Sequence, residues 1–253
     1  MRLFQLAMLI FVVAPLAAPA QGVATLTIDT SKIVANVSPT LYGIMTEGKN
    51  HSYDGGLYAE LISNRTFQTS RGLSLENWTL IQNGNSQAAI KIDKTTGPSA
   101  AVPHSLKLVA VSANGKEEAG FYNNGFWGIA VRPSKTYRGS FYAKADSPLI
   151  GGLTIRLVND KTGAVAASTT VLSLSGSWQS YSFNRKTGAL IPSSDNHLEF
   201  LVEHPGVAWF SLISLFPPTY KNEPNGKRVD LMEKLAALHP AFLRFPGGNY
   251  LEG

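Results

Sequence analysis

Between Leu73 and Pro217 the chain changes its period: short stretches of alternating apolar and polar residues succeed one another, separated by clusters of Gly, Ser, Asn and Pro. Phe141 and Ala143 oppose Tyr142 and Lys144; Leu153, Ile155 and Leu157 oppose Thr154 and Arg156; Leu198, Phe200 and Val202 oppose Glu199 and Glu203. A period of two sends alternate side chains to opposite faces of a strand, so each strand carries one apolar face. Those faces must be buried against each other. The stretch therefore predicts an all-β, two-sheet sandwich over 73–217.

The flanks read differently. Leu41 to Met45 is short and apolar and fits a buried strand, and Glu47 to Gly56 then gathers Glu, Asn, His, Asp and Gly into a polar loop. Asp54 can cap a following helix, whose one apolar face would be Leu57, Tyr58, Leu61 and Ile62. Near the other end Asp230 and Glu233 have capping-box spacing, Leu231, Leu235 and Leu238 mark a buried stripe, and His239-Pro240 ends the helix. A strand over Ala241 to Phe245 then runs into Pro246-Gly247-Gly248-Asn249-Tyr250-Leu251-Glu252-Gly253. Strand, polar loop and helix make the repeating unit of a βα barrel, in which the loops after the strands carry function. Two such strands cannot close a barrel.

The expected organisation is therefore a signal peptide over 1–20, a leading strand segment over 21–38 that includes Ala24 to Val34, a first βα unit over 39–72, the sandwich over 73–217, and a helix with a second barrel strand over 218–253. Arg2, the apolar run from Leu3 to Val13 and the small residues Ala18-Pro19-Ala20 have the layout of a secretory signal cleaved before Gln21. The run is shorter than the ~20 residues needed to span a bilayer.

Composition narrows the functional classes. The net charge of +5 is scattered, with no run beyond pairs such as Arg185-Lys186 and Lys227-Arg228, which argues against a nucleic-acid face. With 0 cysteines there is no disulfide, thiolate or cysteine-metal chemistry. The 5 histidines show no ligand spacing, so neither a zinc site nor a cofactor is expected; calcium, whose carboxylate ligands come from scattered loops, stays open. Three sequons, at Asn36, Asn64 and Asn77, would matter only in a eukaryotic secretory pathway.

Two motifs carry a resemblance. The stretch Thr46 to Gln68 keeps Glu47, Asn50, His51, Asp54, Gly55, Gly56, Tyr58, Ala59, Glu60 and Leu61, and Arg244 to Gly253 keeps Arg-Phe-Pro-Gly-Gly-Asn followed by Leu-Glu-Gly. In this order and far apart they resemble the two opening signatures of the α-L-arabinofuranosidases of glycoside hydrolase family 51, with Gly48 and Lys49 departing from the pattern. The resemblance implies a carbohydrate-binding-module-like sandwich joined to the first two βα units of an incomplete (β/α)8 TIM barrel. It implies a retaining glycosidase that releases terminal arabinofuranose from arabinan or arabinoxylan. Such an enzyme uses two carboxyls roughly 5 Å apart; in the family both are glutamates on later barrel strands, and no residue here matches either, so this portion is expected to be inactive. The residues it implies for the sugar pocket are Glu47 and Asn249 as substrate contacts, with Arg244 supporting a catalytic carboxylate. Asn222-Glu223-Pro224 imitates an acid/base motif of other glycosidases, but its place between sandwich and helix resembles a linker. The expected partners are arabinose-containing plant polysaccharides, with no nucleic acid, no membrane after signal cleavage, and an exported, secreted or periplasmic location; an oligomeric full-length enzyme stays open.

A different class is a non-catalytic carbohydrate-binding protein working through the sandwich, and a third reading is a sandwich that only braces the barrel. Trp78, Trp127, Trp178 and Trp209 are the aromatic candidates for sugar stacking, and burial in the sandwich core is the expectation for each.

Overall fold

The structure is a computed structural model that describes residues 25–48, 51–146 and 152–245. The signal segment lies outside the described residues, as does Asn249. In chain order the elements are β1 (Ile44–Met45), β2 (Gln68–Thr69), β3 (Gly72–Leu73), β4 (Trp78–Gln82), β5 (Gln87–Asp93), β6 (Ser105–Ser112), β7 (Ala119–Asn123), β8 (Thr136–Ala145), β9 (Leu153–Asn159), β10 (Val165–Val171), β11 (Gln179–Lys186), β12 (Asn196–Val202), β13 (Gly206–Phe216), α1 (Val229–Ala237) and β14 (Leu243–Arg244).

The alternating stretches form two five-stranded antiparallel sheets, ordered β10-β9-β12-β7-β4 and β11-β8-β13-β6-β5. Their inner faces make one core. Phe121, Phe141, Phe200 and Phe210 meet at its centre, with Phe121 stacked on Phe200 at 5.2 Å and edge-on to Phe210 at 4.9 Å. The aromatic contacts add direction to a burial that is otherwise non-directional. Trp78 joins this core edge-on to Phe121. Trp209 is buried on the opposite face of its sheet, between the ammonium groups of Lys107 and Lys144 at 4.6 and 4.7 Å, with its indole N–H donated to Asp93 at 2.9 Å. That bond and those from Thr95 and Thr96 hold the Asp93 carboxyl down at about 2, against the opposing pull of burial.

The outer face of the first sheet carries a chain of charges. Arg156 forms a bidentate pair with Glu118, and His197 bridges Asp160 at 2.5 Å and Glu199 at 2.9 Å, its ring 4.6 Å from Tyr122. Burial pulls the imidazole pKa down, but the two carboxylates outweigh it and the net shift is upward from 6.5. A raised folded pKa contributes stability that is complete below the unfolded value of 6.5 and is lost as the pH rises through the higher folded value. The wild-type chain is expected to lose stability across that alkaline window, and His197→Gln to flatten the slope. Urea midpoints taken from pH 5 to 9 check it, and parallel curves for the two proteins would reject it.

Several expectations about the flanks need correction. Residues 25–34 form no strand. In this unit of residues 1–41 the described backbone bonds close only turns, such as Lys32 N–H to Asp29 and Leu41 N–H to Ser38. The expected strand Leu41 to Met45 shrinks to β1 and that over Ala241 to Phe245 to β14, and Met45, Leu243 and Phe245 stay largely exposed.

No helix follows Asp54. Gly55 takes φ +76°, the amides of Leu57 and Tyr58 turn back to the carbonyls of Ser52 and Tyr53, and the chain then runs extended, bonded to Gly226, Arg228 and Leu215. Those backbone partners outweigh the helical spacing of the apolar residues, and a Gly-Gly pair discourages helix nucleation. Helix α1 does form, but its N-cap is Arg228 and no capping box closes; Asp230 pairs with Arg228, and no residue of the helix is buried. Of the apolar stripe, Leu231 and Leu235 are half-buried and Leu238, at the C-cap, is exposed.

Glu223 is exposed and turns the chain between Tyr220 and Gly226, its carbonyl accepting from Thr219 and Gly226. Asn64 and Asn77 sit at positive φ with their amide nitrogens donated to Ser74, Glu76 and Ser63, so of the three sequons only Asn36 presents a side chain without such a bond.

Candidate functional site

The site begins where the two flanking strands meet. β1 and β14 pair in parallel, Ile44 opposite Leu243 and Met45 opposite Arg244, and the ladder continues through Thr46 N–H to the Arg244 carbonyl at 3.3 Å. Parallel pairing puts the residues that leave both strands at the same end. Glu47 therefore leaves β1 at the same end at which Phe245 leaves β14. Tyr53 ties the two exits together: its hydroxyl bonds Thr46 and its ring meets Phe245 edge-on at 5.6 Å. Glu47 is half-buried, and its carbonyl accepts from the Ser52 hydroxyl. Arg244 reaches back along its own strand pair, Nη1 lying 3.8 Å from Met45 Sδ.

The loop after β1 is built around two glycines. A Cβ on Gly56 would fall 2.4 Å from the Ser52 carbonyl oxygen and 2.5 Å from that of His51, so the loop can fold over itself only there. A Cβ on Gly55 would fall 2.4 Å from Cδ2 of Phe126. The neighbouring ring is not part of this loop at all. Phe126 and Trp127 project from the sandwich turn that follows β7, and both approach His51, at 5.0 and 5.4 Å.

Two clefts result. One, of about 590 Å³, is lined by Gly48, His51, Ser52, Tyr53, Asp54 and Trp127. The other, of about 400 Å³, runs behind it between Tyr58, Phe126, Tyr137, Arg132 and the start of α1. The first begins at the residue after Glu47. Its lining of hydroxyl, imidazole, carboxylate and one large aromatic face is the mixture that binds hydroxyl-rich ligands.

The extended segment after the loop is fastened to the sandwich by Glu60, which is 2% exposed. β13 carries a bulge between Ser211 and Ser214, with Leu212 at φ +52°, and its register with β8 shifts there. The bulge frees backbone groups that Glu60 and Arg65 then satisfy. Glu60 accepts from Leu215 N–H at 2.8 Å, from Ile62 N–H at 3.0 Å and from the Ser214 hydroxyl, while Arg65 pairs with it at 3.1 Å and donates to the Ile213 carbonyl at 3.1 Å. Burial lifts the Glu60 pKa; Arg65 and the three donors pull it back, and the net direction is upward.

Sequence reasoning named Glu47 and Arg244, which the parallel strands bring to one end, and Asn249, which falls outside the described residues. It missed Phe126 and the part Trp127 plays. The signal was available in Asn123-Asn124-Gly125-Phe126-Trp127-Gly128, a pair of aromatics held between two glycines in an otherwise alternating domain.

No family model matches the chain. Curated proteins do. A probable α-L-arabinofuranosidase A of Aspergillus terreus is 36% identical over 225 residues, covering 85% of this chain and 34% of that protein. An extracellular exo-α-L-arabinofuranosidase of Streptomyces chartreusis is 34% identical over 230 residues, covering 88% of this chain and 26% of that protein. Among solved structures, an arabinose-bound family 51 α-L-arabinofuranosidase superposes with a TM-score of 0.73 at 39% identity, over 85% of this chain and 35% of that one. Over the region they share, the chain is thus a relative of the α-L-arabinofuranosidases of glycoside hydrolase family 51, and it spans about a third of the length of curated relatives such as the Aspergillus terreus protein.

Proposed function

We propose that these residues form the part of an exported, retaining α-L-arabinofuranosidase that builds the floor of the sugar pocket, for release of terminal arabinofuranose from arabinan or arabinoxylan. The observation that carries the reading is the parallel pairing of β1 with β14, which is how neighbouring strands of a βα barrel meet and which directs the residues after both strands to one end. On this reading Glu47 accepts hydrogen bonds from arabinofuranose hydroxyls, Asn249 contacts the same sugar, and Arg244 supports a catalytic carboxylate from a later strand of the barrel. The two carboxyls of the double displacement come from those later strands, so these 253 residues alone leave the glycosidic bond intact.

Two measurements test it. Hydrolysis of 4-nitrophenyl α-L-arabinofuranoside by the 253-residue chain is expected to be no faster than by its Glu47→Ala variant, and a faster rate refutes the assignment of chemistry to other strands. Titration with L-arabinose, followed by amide chemical shifts, is expected to show weak binding that Glu47→Ala reduces tenfold or more. Equal binding by the variant removes Glu47 from the pocket.

A further inference from the structure

We propose that Trp127 is a stacking shelf for a pyranose ring, and that the sandwich uses it to select substrates in which the arabinofuranosyl branch sits on a xylopyranose chain. The inference rests on the pocket reading above and extends it from the sugar released to the sugar left behind.

Of the 4 tryptophans, Trp78 and Trp209 are buried and Trp178 half-buried, whereas Trp127 is 68% exposed. A single exposed apolar side chain is ordinary. This one is held out by a rigid turn. Gly125 and Gly128 take φ +68° and +85°, Gly125 N–H donates to the Asn123 side chain at 2.9 Å and Gly128 N–H to the Asn124 carbonyl at 2.9 Å. Asn123 is buried and donates in turn to the carbonyls of Ser63 and Asn77. On the far side Ile129 is buried in the core, and a Cβ on Gly128 would fall 2.0 Å from the Ser194 carbonyl oxygen. The residues on either side are thus fixed by the core, while the indole is left in water. The backbone that presents the indole therefore has little conformational freedom left to lose on binding.

Its position gives the ligand. Trp127 does not lie on an outer sheet face, where a sandwich acting by itself would hold a polymer. It overhangs the loop after β1, near-perpendicular to His51 at an interplanar angle of 75°, and closes the cleft whose other walls are Gly48, His51, Ser52, Tyr53 and Asp54. Gly48 directly follows Glu47, so a sugar linked to an arabinofuranose held at Glu47 enters that cleft. A chair-form pyranose presents a flat face of C–H bonds that matches an indole; a furanose is smaller and puckered and matches it less well. Xylopyranose has no exocyclic group to lift it off the ring. Its hydroxyls then face His51, Ser52, Tyr53 and Asp54 around the rim.

The test is calorimetric titration of the 253-residue chain with three probes: L-arabinose, a xylotetraose carrying one α-L-arabinofuranosyl branch, and a linear α-1,5-arabinotetraose. Wild type is expected to bind the branched xylotetraose tightest, with a blue shift in tryptophan emission. Trp127→Ala should weaken that probe tenfold or more, a change of about 1.4 kcal/mol, and L-arabinose by less than about twofold. Trp127→Phe should restore part of the loss. Unchanged affinity of Trp127→Ala for the branched probe, with arabinose binding intact, overturns the shelf alone. Equal losses for the branched probe and the arabinotetraose overturn the choice of a pyranose. If wild type binds none of the three, the pocket reading fails and takes this one with it. Equal urea midpoints for wild type and both variants exclude misfolding as the cause.

Discussion

Replacing Glu60 by alanine is expected to destabilise the chain by about 3 kcal/mol. The size follows from what the change leaves behind. The amides of Leu215 and Ile62 lose their acceptor in a site closed to water, and Arg65, itself 35% exposed, loses its carboxylate. Removing one partner of a buried charged pair costs about 3–5 kcal/mol, because the other partner's desolvation is no longer offset; the partial exposure of Arg65 places this case at the low end. Glu60→Gln keeps one oxygen for the two amides but turns an amide N–H towards Arg65, and should cost about 1 kcal/mol. The sign of its pH dependence separates this account from simple loss of packing. Because the folded Glu60 pKa is raised, its contribution is complete below the unfolded value of 4.5 and declines as the pH climbs through the folded value. The deficit of Glu60→Gln should therefore be largest in acid and shrink towards neutrality. Urea midpoints at pH 4 and pH 7 decide it: an alanine variant within 0.5 kcal/mol of wild type, or a glutamine deficit that grows with pH, would reject the arrangement described here.

The sandwich was legible because its information is local. Alternation at Phe141, Ala143, Leu153, Ile155, Leu157, Leu198, Phe200 and Val202 names the inner face without knowledge of which strand pairs with which, and all eight are buried in the core. The segment from Leu57 to Ile62 was misread for the opposite reason. Its apolar spacing suits a helix, but its backbone bonds go to Gly226, Arg228 and Leu215, residues far away in the chain whose carbonyls and amides no local pattern announces. Glu60 looked like one more motif residue until the bulge in β13 gave it something to bond. The positions of Glu47 and Arg244 came through the motifs, and the reason for their proximity, two strands paired in parallel, was implied only by the βα pattern. Trp127 stayed hidden because burial in the core was the expected fate of any tryptophan in a sandwich, and exposure is a property of the assembled surface. The capping box at Asp230 was a correct sign of a helix and a wrong one of its start: Arg228 competes for the Asp230 carboxylate and wins both of its oxygens.

Gly55→Ala is expected to cost about 2 kcal/mol and to disturb the environment of Trp127, although the two residues belong to different parts of the fold. Part of that cost is conformational, since a non-glycine residue at φ +76° pays about 1 kcal/mol or more for its Cβ. The remainder is a collision. The new methyl would lie 2.4 Å from Cδ2 and 2.5 Å from Cγ of Phe126, near the root of that ring, where rotation about the side chain's own bonds gives little relief. Phe126 must move, and with it the contact that His51 makes at 5.0 Å. Phe126→Ala removes the obstacle, so the double variant should be more stable than the sum of the single costs by about 1 kcal/mol, the coupling expected of two residues in direct contact. The conformational part would remain. Tryptophan emission gives the second readout, because Trp127 is the next residue and shares His51 with Phe126: Gly55→Ala should shift it, and the double variant should shift it no further. Strictly additive midpoints would mean that the loop after β1 and the sandwich turn do not bear on each other, and the glycine would then be needed for its backbone alone. A coupling of the predicted sign makes the Asp-Gly-Gly motif a joint between the two parts, fitted to receive an aromatic ring from the sandwich while the loop it opens carries the polar groups beside Glu47.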